Sequence, residues 1–349
     1  MAGGRGTRFW PRSRRRHPKQ VLRVFGDATM IQATVDRLSG VFPADRLWIL
    51  TGKAQRPEIV RQLPAVPATQ ILAEPAQRNT ASAIGLAAHM LHSVDPEAVV
   101  GVFPADHVIL QPKRFLPYVR AALREAARGK IVVLGIQPRS PDTAFGYIEF
   151  PPGTEAGTTR SVPVLRFREK PKPALAKEFV AAGNFYWNAG MFFFRASAML
   201  DALRRHLPKT ATLLASLPSG TDPDFSRRLA KVFPLLEDIS IDFAVMEKAG
   251  NVTGFPCRDF GWNDVGSWDA VYDLLPKDTA GNAARSEVIA QESRRNYVDA
   301  GGKLVTLIGV DDLIVVDTRD ALLVADRRKA QAVGALVKLL EKQGRDDLL

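Results

Sequence analysis

Apolar residues along the chain follow two different spacings, which alternate between residues 29 and 136. Spacings of three and four residues predict helices at 29–38, 81–91 and 115–127. Short continuous apolar runs predict buried strands at 47–50, 98–103 and 130–136. Helices that alternate with buried strands indicate an α/β fold, in which helices cover a mostly parallel sheet.

The alternation continues, less regularly, as far as residue 275. We predict strands at 146–150 and 164–167, a helix at 172–182 and an aromatic-rich strand at 185–194. Further helices are predicted at 196–207 and 224–232, and the Pro-, Ser- and Gly-rich segment between them is interpreted as a loop. We assign residues 1–275 to one large domain.

After residue 275 the apolar residues come in short packets that are separated by turn residues. The packets lie at 288–289, 297–298, 304–305, 307–308, 313–316 and 322–324. Short strands at such spacing predict a small β-rich domain, residues 276–349, which ends in an amphipathic helix at 329–342. No exact internal repeat is visible in this part of the sequence.

The composition is typical of a soluble globular protein with a large core, since 46% of the 349 residues are hydrophobic and 24% are charged. No apolar run approaches the ~18 residues of a membrane span, and no signal-peptide pattern is present. Cys257 is the only cysteine. A disulfide within the chain is therefore excluded, which fits the reducing cytoplasm that we expect.

Lysine and arginine outnumber aspartate and glutamate by 48 to 37, which gives a formal charge of +11. The densest cluster of basic residues lies between residues 12 and 19. It has neither interleaved aromatic residues nor a known fold motif for nucleic acid, so we expect no nucleic-acid partner. Anionic small substrates explain the excess better, because a basic cleft raises their local concentration.

The first twenty residues carry the strongest chemical signal. Gly3, Gly4 and Gly6 permit positive φ and a close backbone approach, so successive amides can converge on an anion. Arg5 and Arg8 have planar guanidinium groups that suit phosphate oxygens. The spacing matches neither the dinucleotide pattern G-x-G-x-x-G nor a Walker A loop. We predict a loop that binds the phosphates of a nucleoside triphosphate.

The opening segment MAGGRGTRFWPRSRRRHPKQ resembles the GGxGxR-(L/F)-WP-x-SR…PKQ signature of sugar-nucleotide pyrophosphorylases, and among them of mannose-1-phosphate guanylyltransferases. The resemblance spans residues 2–269 and includes six motifs in the family's order. It implies a Rossmann-like nucleotidyltransferase domain of the GT-A type, followed by a β-helix-like element that often helps to form a homodimer. It also implies that Arg8 neutralises the departing pyrophosphate and that Lys19 stabilises the α-phosphoryl group.

Two aspartates are candidate ligands for Mg²⁺. Asp106 follows the predicted strand 98–103 directly, at the end of a strand where open α/β sheets bind ligands, although a lone aspartate there often only caps a turn. Resemblance to the family's FPADH motif implies the metal, with His107 as a supporting residue. Asp264 lies in the segment GWNDVGSW, which is similar to the family motif whose aspartate completes the site. Two carboxylates together with phosphate oxygens suit octahedral Mg²⁺.

The segment EPAQRNTA at residues 74–81 leads into a predicted helix. Asn79 and Thr80 are possible N-caps of that helix, and capping alone would explain them. The resemblance implies instead that Glu74, Asn79 and Thr80 contact the guanine base and the ribose of GTP. A carboxylate at Glu74 can accept hydrogen bonds from N1 and the exocyclic amino group of guanine, which adenine lacks.

Three further segments, FGYIE, FREKP and WNAGM, resemble the family's motifs for the sugar phosphate. Glu149 and Glu169 can accept hydrogen bonds from sugar hydroxyls, Asn188 can donate and accept, and Lys170 can meet the phosphate. Gly146 belongs to the first of these motifs. Taken singly, such residues are more often solvated, and the aromatic residues beside Asn188 are more typical of a core.

The resemblance implies a mannose-1-phosphate guanylyltransferase reaction, in which mannose 1-phosphate attacks the α-phosphorus of GTP in line, giving GDP-mannose and pyrophosphate. One alternative is another sugar-1-phosphate nucleotidylyltransferase of the same fold. A second alternative is a catalytically silent regulatory subunit that binds sugar nucleotides. In the family a buried strand precedes the glycine loop, whereas here Met1 stands almost on the loop. We therefore expect the sequence to begin at an internal start site.

Overall fold

The computed structural model describes residues 1–349. Its strands, in chain order, are β1 (Ile49–Gly52), β2 (Ile71–Glu74), β3 (Val99–Val102), β4 (Val108–Ile109), β5 (Ile131–Ile136), β6 (Tyr147–Glu149), β7 (Val162–Pro163), β8 (Arg166–Arg168), β9 (Phe185–Arg195), β10 (Val252–Cys257), β11 (Trp262–Asn263), β12 (Ala283–Ala284), β13 (Val288–Gln291), β14 (Tyr297–Asp299), β15 (Val305–Ile308), β16 (Leu313–Asp317) and β17 (Leu322–Asp326). Its α-helices are α1 (Met30–Leu38), α2 (Arg56–Gln62), α3 (Asn79–Val94), α4 (Pro112–Ala126), α5 (Pro173–Ala182), α6 (Ala196–His206), α7 (Pro208–Ala215), α8 (Phe225–Val232), α9 (Trp268–Leu274) and α10 (Val333–Lys342).

One compact unit, here called the sheet unit, comprises Met1, Ala73–Pro104 and Ile109–Trp262. Its seven-stranded sheet has the order β7-β10-β5-β9-β6-β8, and β3 also pairs with β9. Strands β5 and β10 are parallel, whereas β9 runs antiparallel to β3, β5 and β6. The predicted α/β class is confirmed, but β7, β8 and β9 run opposite to the other four strands, so the sheet is mixed and β5–β10 is its one parallel pair.

The core of the sheet unit follows the apolar runs of the sequence. Strand β5 is buried along its whole length, as its uninterrupted run of apolar residues predicts for a strand covered on both faces. Phe192, Phe193 and Phe194 of β9 are at most 2% exposed. The interpretation of these aromatic residues as core is therefore confirmed.

The loop predicted between residues 207 and 224 is partly wrong, because residues 208–215 form helix α7. Pro208 stands in its first turn, where a missing backbone N–H costs nothing, and Leu214 is buried. The helix has only eight residues, so its apolar period is too short to be recognised. The predicted strand 164–167 is also displaced, since β7 and β8 leave residues 164–165 between them.

The second compact unit, here called the loop unit, comprises Ala2–Leu72, Ala105–Val108 and Asn263–Leu349. Strands β12, β14 and β16 stack in parallel, as do β13 and β15, and form the small β-helix-like element that we predicted. Asn282 and Asn296 occupy successive turns of this coil, and the Asn296 amide donates to the Asn282 side-chain oxygen at 3.0 Å. The Asn296 oxygen accepts in turn from the backbone of Leu313.

The glycine-rich segment packs against the coil and the last helix within the loop unit. Phe9 and Trp10 share one apolar cluster with Trp268, Tyr297 and Val337. The Trp268 indole N–H donates to the Trp10 carbonyl, and the Trp10 indole N–H donates to the carbonyl of residue 348, both at 3.0 Å. The start and the end of the chain are thus joined in one core.

The two units interleave along the sequence, and the boundary that we predicted at residue 275 stays a prediction. The helix predicted at 329–342 begins as a 3₁₀ segment, Arg327–Ala332, before α10. None of the helices has both the length and the apolar character needed to cross a membrane.

Candidate functional site

Gly6 is the glycine of the opening loop whose backbone requires glycine. It has a φ of +62°, and a Cβ at this position would lie 2.5 Å from the Cβ of Lys19. Gly4 has open space around it, and positive φ is found neither there nor at Gly3. Of the three glycines that were predicted to permit positive φ, Gly6 is the one that adopts it, where the loop passes directly over Lys19.

The side chain of Gln20 holds the opening loop in place through two hydrogen bonds. Its side-chain amide donates to the carbonyl oxygens of Ala2 at 2.6 Å and of Gly4 at 3.1 Å. The backbone amides of Gly3, Gly4 and Gly6 donate to no acceptor within the protein. With its carbonyls held by Gln20, the loop keeps these N–H groups available for an anion.

Lys19 joins the segments of the two predicted metal ligands. Its side chain is only 6% exposed, and its Nζ donates to Asp106 Oδ2 at 3.0 Å and to the backbone carbonyl of Asp264 at 2.6 Å. Asp106 and Asp264 are far apart in the sequence, so the fold brings three of the predicted catalytic residues together. A buried ammonium with two oxygen partners is held in one position.

Gly266 leaves room for the Asp264 carboxylate and for Arg8. A Cβ on Gly266 would lie 3.1 Å from Asp264 Oδ2 and 3.5 Å from a terminal nitrogen of Arg8. The Arg8 guanidinium also donates to the Gln331 side chain at 2.7 Å. All four predicted catalytic residues, Arg8, Lys19, Asp106 and Asp264, therefore belong to the loop unit.

Arg5, the other predicted phosphate ligand of the loop, is held by the last helix. Its guanidinium donates to Glu341 of α10 at 2.5 Å. The sequence analysis identified neither Gln331 nor Glu341, because nothing in an amphipathic helix shows that its polar face contacts a loop more than 300 residues away. Helix α10 thus supplies a carboxylate to Arg5, and the 3₁₀ segment before it supplies the Gln331 amide to Arg8.

The Asp106 carboxylate stays ionised in this environment. Burial is the largest single influence and would raise its pKa, but the charge and the hydrogen bond of Lys19, together with His107 and the amino terminus, outweigh it, and the pKa falls below its ordinary value of 3.8. For His107 the balance is different, since burial lowers its pKa to about 4 although Asp106 opposes the shift. Near neutral pH the pair is a carboxylate beside a neutral imidazole.

Arg37 is a further cation near Asp106 that sequence reasoning missed. Burial lowers its pKa to about 10, against the opposing charge of Asp106, so it remains charged near neutral pH. It donates to Thr34, whose hydroxyl lies 3.4 Å from the Ala105 carbonyl. A single arginine on an amphipathic helix reads as a solvated residue, and the sequence offers no signal that it lies beside Asp106.

The donors available for a metal are the two carboxylates of Asp106 and Asp264. No cluster of three or more His, Cys, Asp or Glu side chains is placed to hold a metal ion. Mg²⁺ usually takes one or two carboxylates and completes its octahedron with substrate phosphates and water. The space beside Gly266, which a Cβ would fill, keeps the Asp264 carboxylate accessible. The donor set therefore fits Mg²⁺ in the presence of a nucleotide.

The three predicted nucleoside ligands belong to the sheet unit, where Glu74 ends β2 and Asn79 and Thr80 begin α3. Burial raises the pKa of Glu74 to about 7. Asn79 has a φ of +58°, a left-handed conformation that is uncommon for residues other than glycine. The Thr80 hydroxyl accepts from the backbone of Ile241 at 2.8 Å. The Asn79 side-chain oxygen accepts from the Thr80 backbone N–H at 2.9 Å, so Asn79 satisfies one amide of the first turn from within the helix, whereas Thr80 caps none.

The structure joins four of the five predicted sugar-phosphate ligands through short contacts. A Cβ on Gly146 would lie 2.5 Å from Glu169 Oε2, so glycine is required beside this carboxylate. Lys170 pairs with Glu169 at 2.9 Å. The Asn188 backbone donates to the Gly146 carbonyl at 2.8 Å, and the Asn188 amide donates to Asp242 at 3.0 Å.

Glu149 is the predicted sugar ligand outside this group of contacts. It lies on β6 and pairs with Arg166 of the neighbouring strand β8 at 2.8 Å, so its charge is already compensated. An ion pair across two strands is an ordinary surface interaction.

Asp242 is an acidic residue of this group that the sequence analysis did not identify. Burial, reinforced by the charge of Glu169, raises the pKa of Asp242 to about 7. It begins a short helical segment, Asp242–Met246, in which it is the lone charged residue. The sequence signal that could have identified Asp242 was a single carboxylate at the beginning of a short apolar segment.

Two family models match the chain. The model described as nucleotidyl transferase matches residues 1–281, and the model described as the MannoseP isomerase/GMP-like beta-helix domain matches residues 286–340. The first match includes every residue of the candidate site except Gln331 and Glu341. The second covers the coil from β13 onward, whereas β12 lies just before it.

The chain is also similar to individual proteins over nearly its whole length. It is 40% identical to mannose-1-phosphate guanylyltransferase of Escherichia coli, over 99% of the chain and 74% of that protein. It is 39% identical to the alginate biosynthesis protein AlgA of Pseudomonas aeruginosa, over 99% of the chain and 72% of that protein. A solved structure of mannose-1-phosphate geranyltransferase from Thermus thermophilus superimposes with a TM-score of 0.86 and 33% identity, covering 98% of both chains.

Proposed function

The chain belongs to the nucleotidyl transferase family and within it to the mannose-1-phosphate guanylyltransferases, and on this premise we propose that it transfers GMP from GTP to mannose 1-phosphate. The products are GDP-mannose and pyrophosphate. The observation that carries the proposal is the position of Lys19, which contacts both Asp106 and the Asp264 segment under the glycine loop. These are the groups that a nucleotidyl transfer uses to hold and neutralise phosphates.

The reaction needs charge neutralisation and alignment more than it needs proton transfer. A phosphate oxygen of mannose 1-phosphate attacks the α-phosphorus of GTP while the bond to pyrophosphate breaks. The attacking phosphate is already ionised, so no general base is required. Lys19, held by two oxygen partners, stabilises the charge on the α-phosphoryl group, and Arg8 together with the amides of the glycine loop neutralises the leaving pyrophosphate.

We further propose that Asp106 and Asp264 hold Mg²⁺ when the nucleotide is bound. The low pKa of Asp106 favours this role, because the carboxylate is ionised throughout the physiological pH range. When bound, the ion screens the repulsion between the phosphates of the two substrates.

The residues of the sheet unit are assigned to recognition. Glu74, when ionised, accepts from N1 and the exocyclic amino group of guanine, while Asn79 and Thr80 contact the base and ribose. Glu169 and Asn188 bind sugar hydroxyls, and Lys170 orients the sugar phosphate. The backbone fold at Gly146, which admits the Glu169 carboxylate, supports this assignment.

Pyrophosphate release by the purified protein tests the proposed function. GTP, ATP, UTP and dTTP are each combined with mannose 1-phosphate or glucose 1-phosphate, with Mg²⁺ or with EDTA. We expect turnover with GTP and mannose 1-phosphate, loss in EDTA, and recovery when Mg²⁺ is restored. Asp264→Ala should be inactive, whereas Asp36→Ala, a change of an exposed aspartate on α1, should match the wild type.

Other outcomes would change the assignment in defined ways. Turnover with a different pair of substrates would keep the nucleotidyl transfer and replace the substrates. Binding of GDP-mannose without turnover of any pair would contradict the proposal and favour a regulatory subunit.

We also propose that the protein is a cytoplasmic homodimer that associates through its coil. Strands β13, β15 and β17 expose the large apolar residues Ile289, Ile308, Leu322 and Val324, each at least 57% accessible. Apolar residues gathered on one small element favour association. Sedimentation of the wild type and of Ile308→Lys tests this, and a monomeric wild type at micromolar concentration would contradict it.

A further inference from the structure

A cavity of about 500 Å³ lies in the loop unit and is lined by none of the residues assigned to the reaction. It is formed by the segment that follows Lys19, by helices α1 and α2, and by the coil. Four arginines and two carboxylates line it, namely Arg12, Arg23, Arg61, Arg285, Glu58 and Asp299. Its size is in the range of small-molecule sites.

Two of the four arginines have no acidic partner. Arg12 is bound to Asp299 through two hydrogen bonds, and Arg61 is bound to Glu58. Arg23 has neither a hydrogen bond nor an ion pair from its side chain. Arg285 makes one side-chain hydrogen bond, to the Val24 carbonyl at 2.7 Å. The cavity therefore carries two uncompensated guanidinium groups with most of their N–H donors unused.

Tyr297 adds an unpartnered polar group to the same cavity. Its side chain is fully buried, and its hydroxyl has no hydrogen-bond partner in the protein. Trp268 stacks on its ring, with ring centres 5.6 Å apart, so the ring position is fixed. Because buried hydroxyls almost always find a partner, this one indicates an acceptor that arrives from outside the protein.

We propose that this cavity is a second ligand site, which binds the phosphoryl group of a small phosphorylated metabolite. The forks of Arg23 and Arg285 suit phosphate oxygens, and the Tyr297 hydroxyl, which the protein encloses in this structure, donates to the ligand once the surrounding wall shifts to admit it. Arg12 and Arg61 are neutralised by their own partners and complete the wall. The binding needs no turnover, so it is independent of the proposed reaction.

Occupancy of the cavity is in a position to affect the catalytic residues. Val21 and Leu22 line the cavity two and three residues after Lys19, and Trp268 lines it four residues after Asp264. A ligand that orders these segments changes the affinity for nucleotide, and nucleotide changes the affinity for the ligand by the same factor.

Calorimetric titration of the full chain tests the site, with glucose 6-phosphate and inorganic phosphate as separate probes. Glucose 6-phosphate carries its phosphate on a carbon that the proposed reaction does not use. The variants are Arg23→Ala and Tyr297→Phe, with Arg124→Ala, an exposed arginine on α4, as the matched control. Lys19→Met is included because it removes the catalytic phosphate ligand and leaves the cavity intact.

We expect the wild type, Arg124→Ala and Lys19→Met to bind at least one probe with equal affinity, and Arg23→Ala and Tyr297→Phe to bind it at least tenfold more weakly. Tyr297→Phe should unfold no earlier than the wild type, because the hydroxyl that it removes has no partner. Stronger binding of glucose 6-phosphate than of phosphate would identify an ester as the ligand, and equal binding would identify phosphate. Absence of binding at millimolar concentration, loss of binding in Lys19→Met, or unchanged binding in both cavity variants would overturn the proposal.

Discussion

The two groups of candidate residues differ in the sign of the charge that surrounds them. In the loop unit, the buried Lys19 pairs with the partly exposed carboxylate of Asp106 and helps to hold its pKa below its ordinary value. In the sheet unit, Asp242 lies beside Glu169, and burial together with that charge raises its pKa to about 7, although Lys170 pairs with Glu169. Cations suit the phosphates of GTP, whereas acids of raised pKa suit neutral hydroxyl and N–H donors. The chain thus separates charge neutralisation from recognition.

Replacement of Lys19 should have the largest effect, because it removes a cation from the phosphate-binding residues of the loop unit. Lys19→Met keeps the length of the side chain but removes the charge that contacts Asp106 and the Asp264 carbonyl. We expect kcat to fall by about 10²–10³-fold, as for the loss of one preorganised donor to transition-state charge. Pyrophosphate release measures it, with the exposed Lys53→Met as control. A fall of less than tenfold would contradict the assigned role.

Replacement of Glu74 should show that the acidic residues of the sheet unit determine the specificity for the base of the nucleotide. The carboxylate forms as pH rises through its pKa of about 7, so kcat/KM for GTP should increase between pH 6 and pH 8. In Glu74→Gln that increase should disappear, and the preference for GTP over ATP should fall by about tenfold, since a hydrogen bond to a charged group is lost. Steady-state kinetics at the two pH values measure both effects. Glu178→Gln, a change of an exposed residue on α5, is the control, and an unchanged base preference would refute the assignment.

Ionisation of Asp242 should lower the stability of the folded protein as pH rises. The folded protein keeps this carboxyl protonated up to pH about 7, whereas the unfolded chain ionises it near 3.8. Between these values the unfolded state releases a proton that the folded state retains, so stability falls as pH rises. Asp242→Asn should therefore raise Tm at pH 8 by about 2–4 °C and leave Tm near pH 4 unchanged. Asn can still accept from Asn188, and thermal unfolding compared with the exposed Asp238→Asn decides the outcome.

The smallest expected effect concerns Glu341, the acid that α10 places on Arg5. Glu341→Gln releases Arg5 from an ion pair, and KM for GTP should fall about twofold at low salt, as is typical of a partly exposed pair. The difference should vanish at high ionic strength because screening removes it. Kinetics at two salt concentrations measure it, with the exposed Asp27→Asn as control. A higher KM would mean that Glu341 positions Arg5 for the phosphate instead of competing with it.

The helices and strands of the sheet unit were largely predictable, because each buries a long apolar face with a regular period. Helix α5 and strand β5 lie within two residues of their predicted bounds. The direction of β9 was not predictable from its apolar run, since a strand buried on both faces has the same composition in either direction. Helix α7 is too short for its period to be recognised.

The residues of the candidate site were predictable where they belong to a recognisable sequence motif. The motifs brought Lys19, Asp106 and Asp264 into one hypothesis, and the structure joins them through two hydrogen bonds. Arg37 and Asp242 were missed because neither belongs to a recognisable motif, and tertiary packing alone places each beside its partner. The pKa shifts were likewise beyond the sequence, since burial causes them.

The coil shows why a repeat can be structural without being visible in the sequence. Asn296 contacts Asn282 14 residues earlier, whereas Leu313 contacts Asn296 across 17 residues. Turns of unequal length have no fixed period, so comparison of the sequence with itself finds nothing. The stacked side chains repeat in space although their spacing in the chain does not.

Strand β17 has a consequence for how this element can change in evolution. It pairs antiparallel with β16, the last of the stacked parallel strands. A further parallel strand would have to pair with the outer edge of β16. Strand β17 already occupies that edge and runs in the opposite direction. Lengthening by tandem duplication, which solenoids use readily, is therefore blocked at the β16 edge of this sheet.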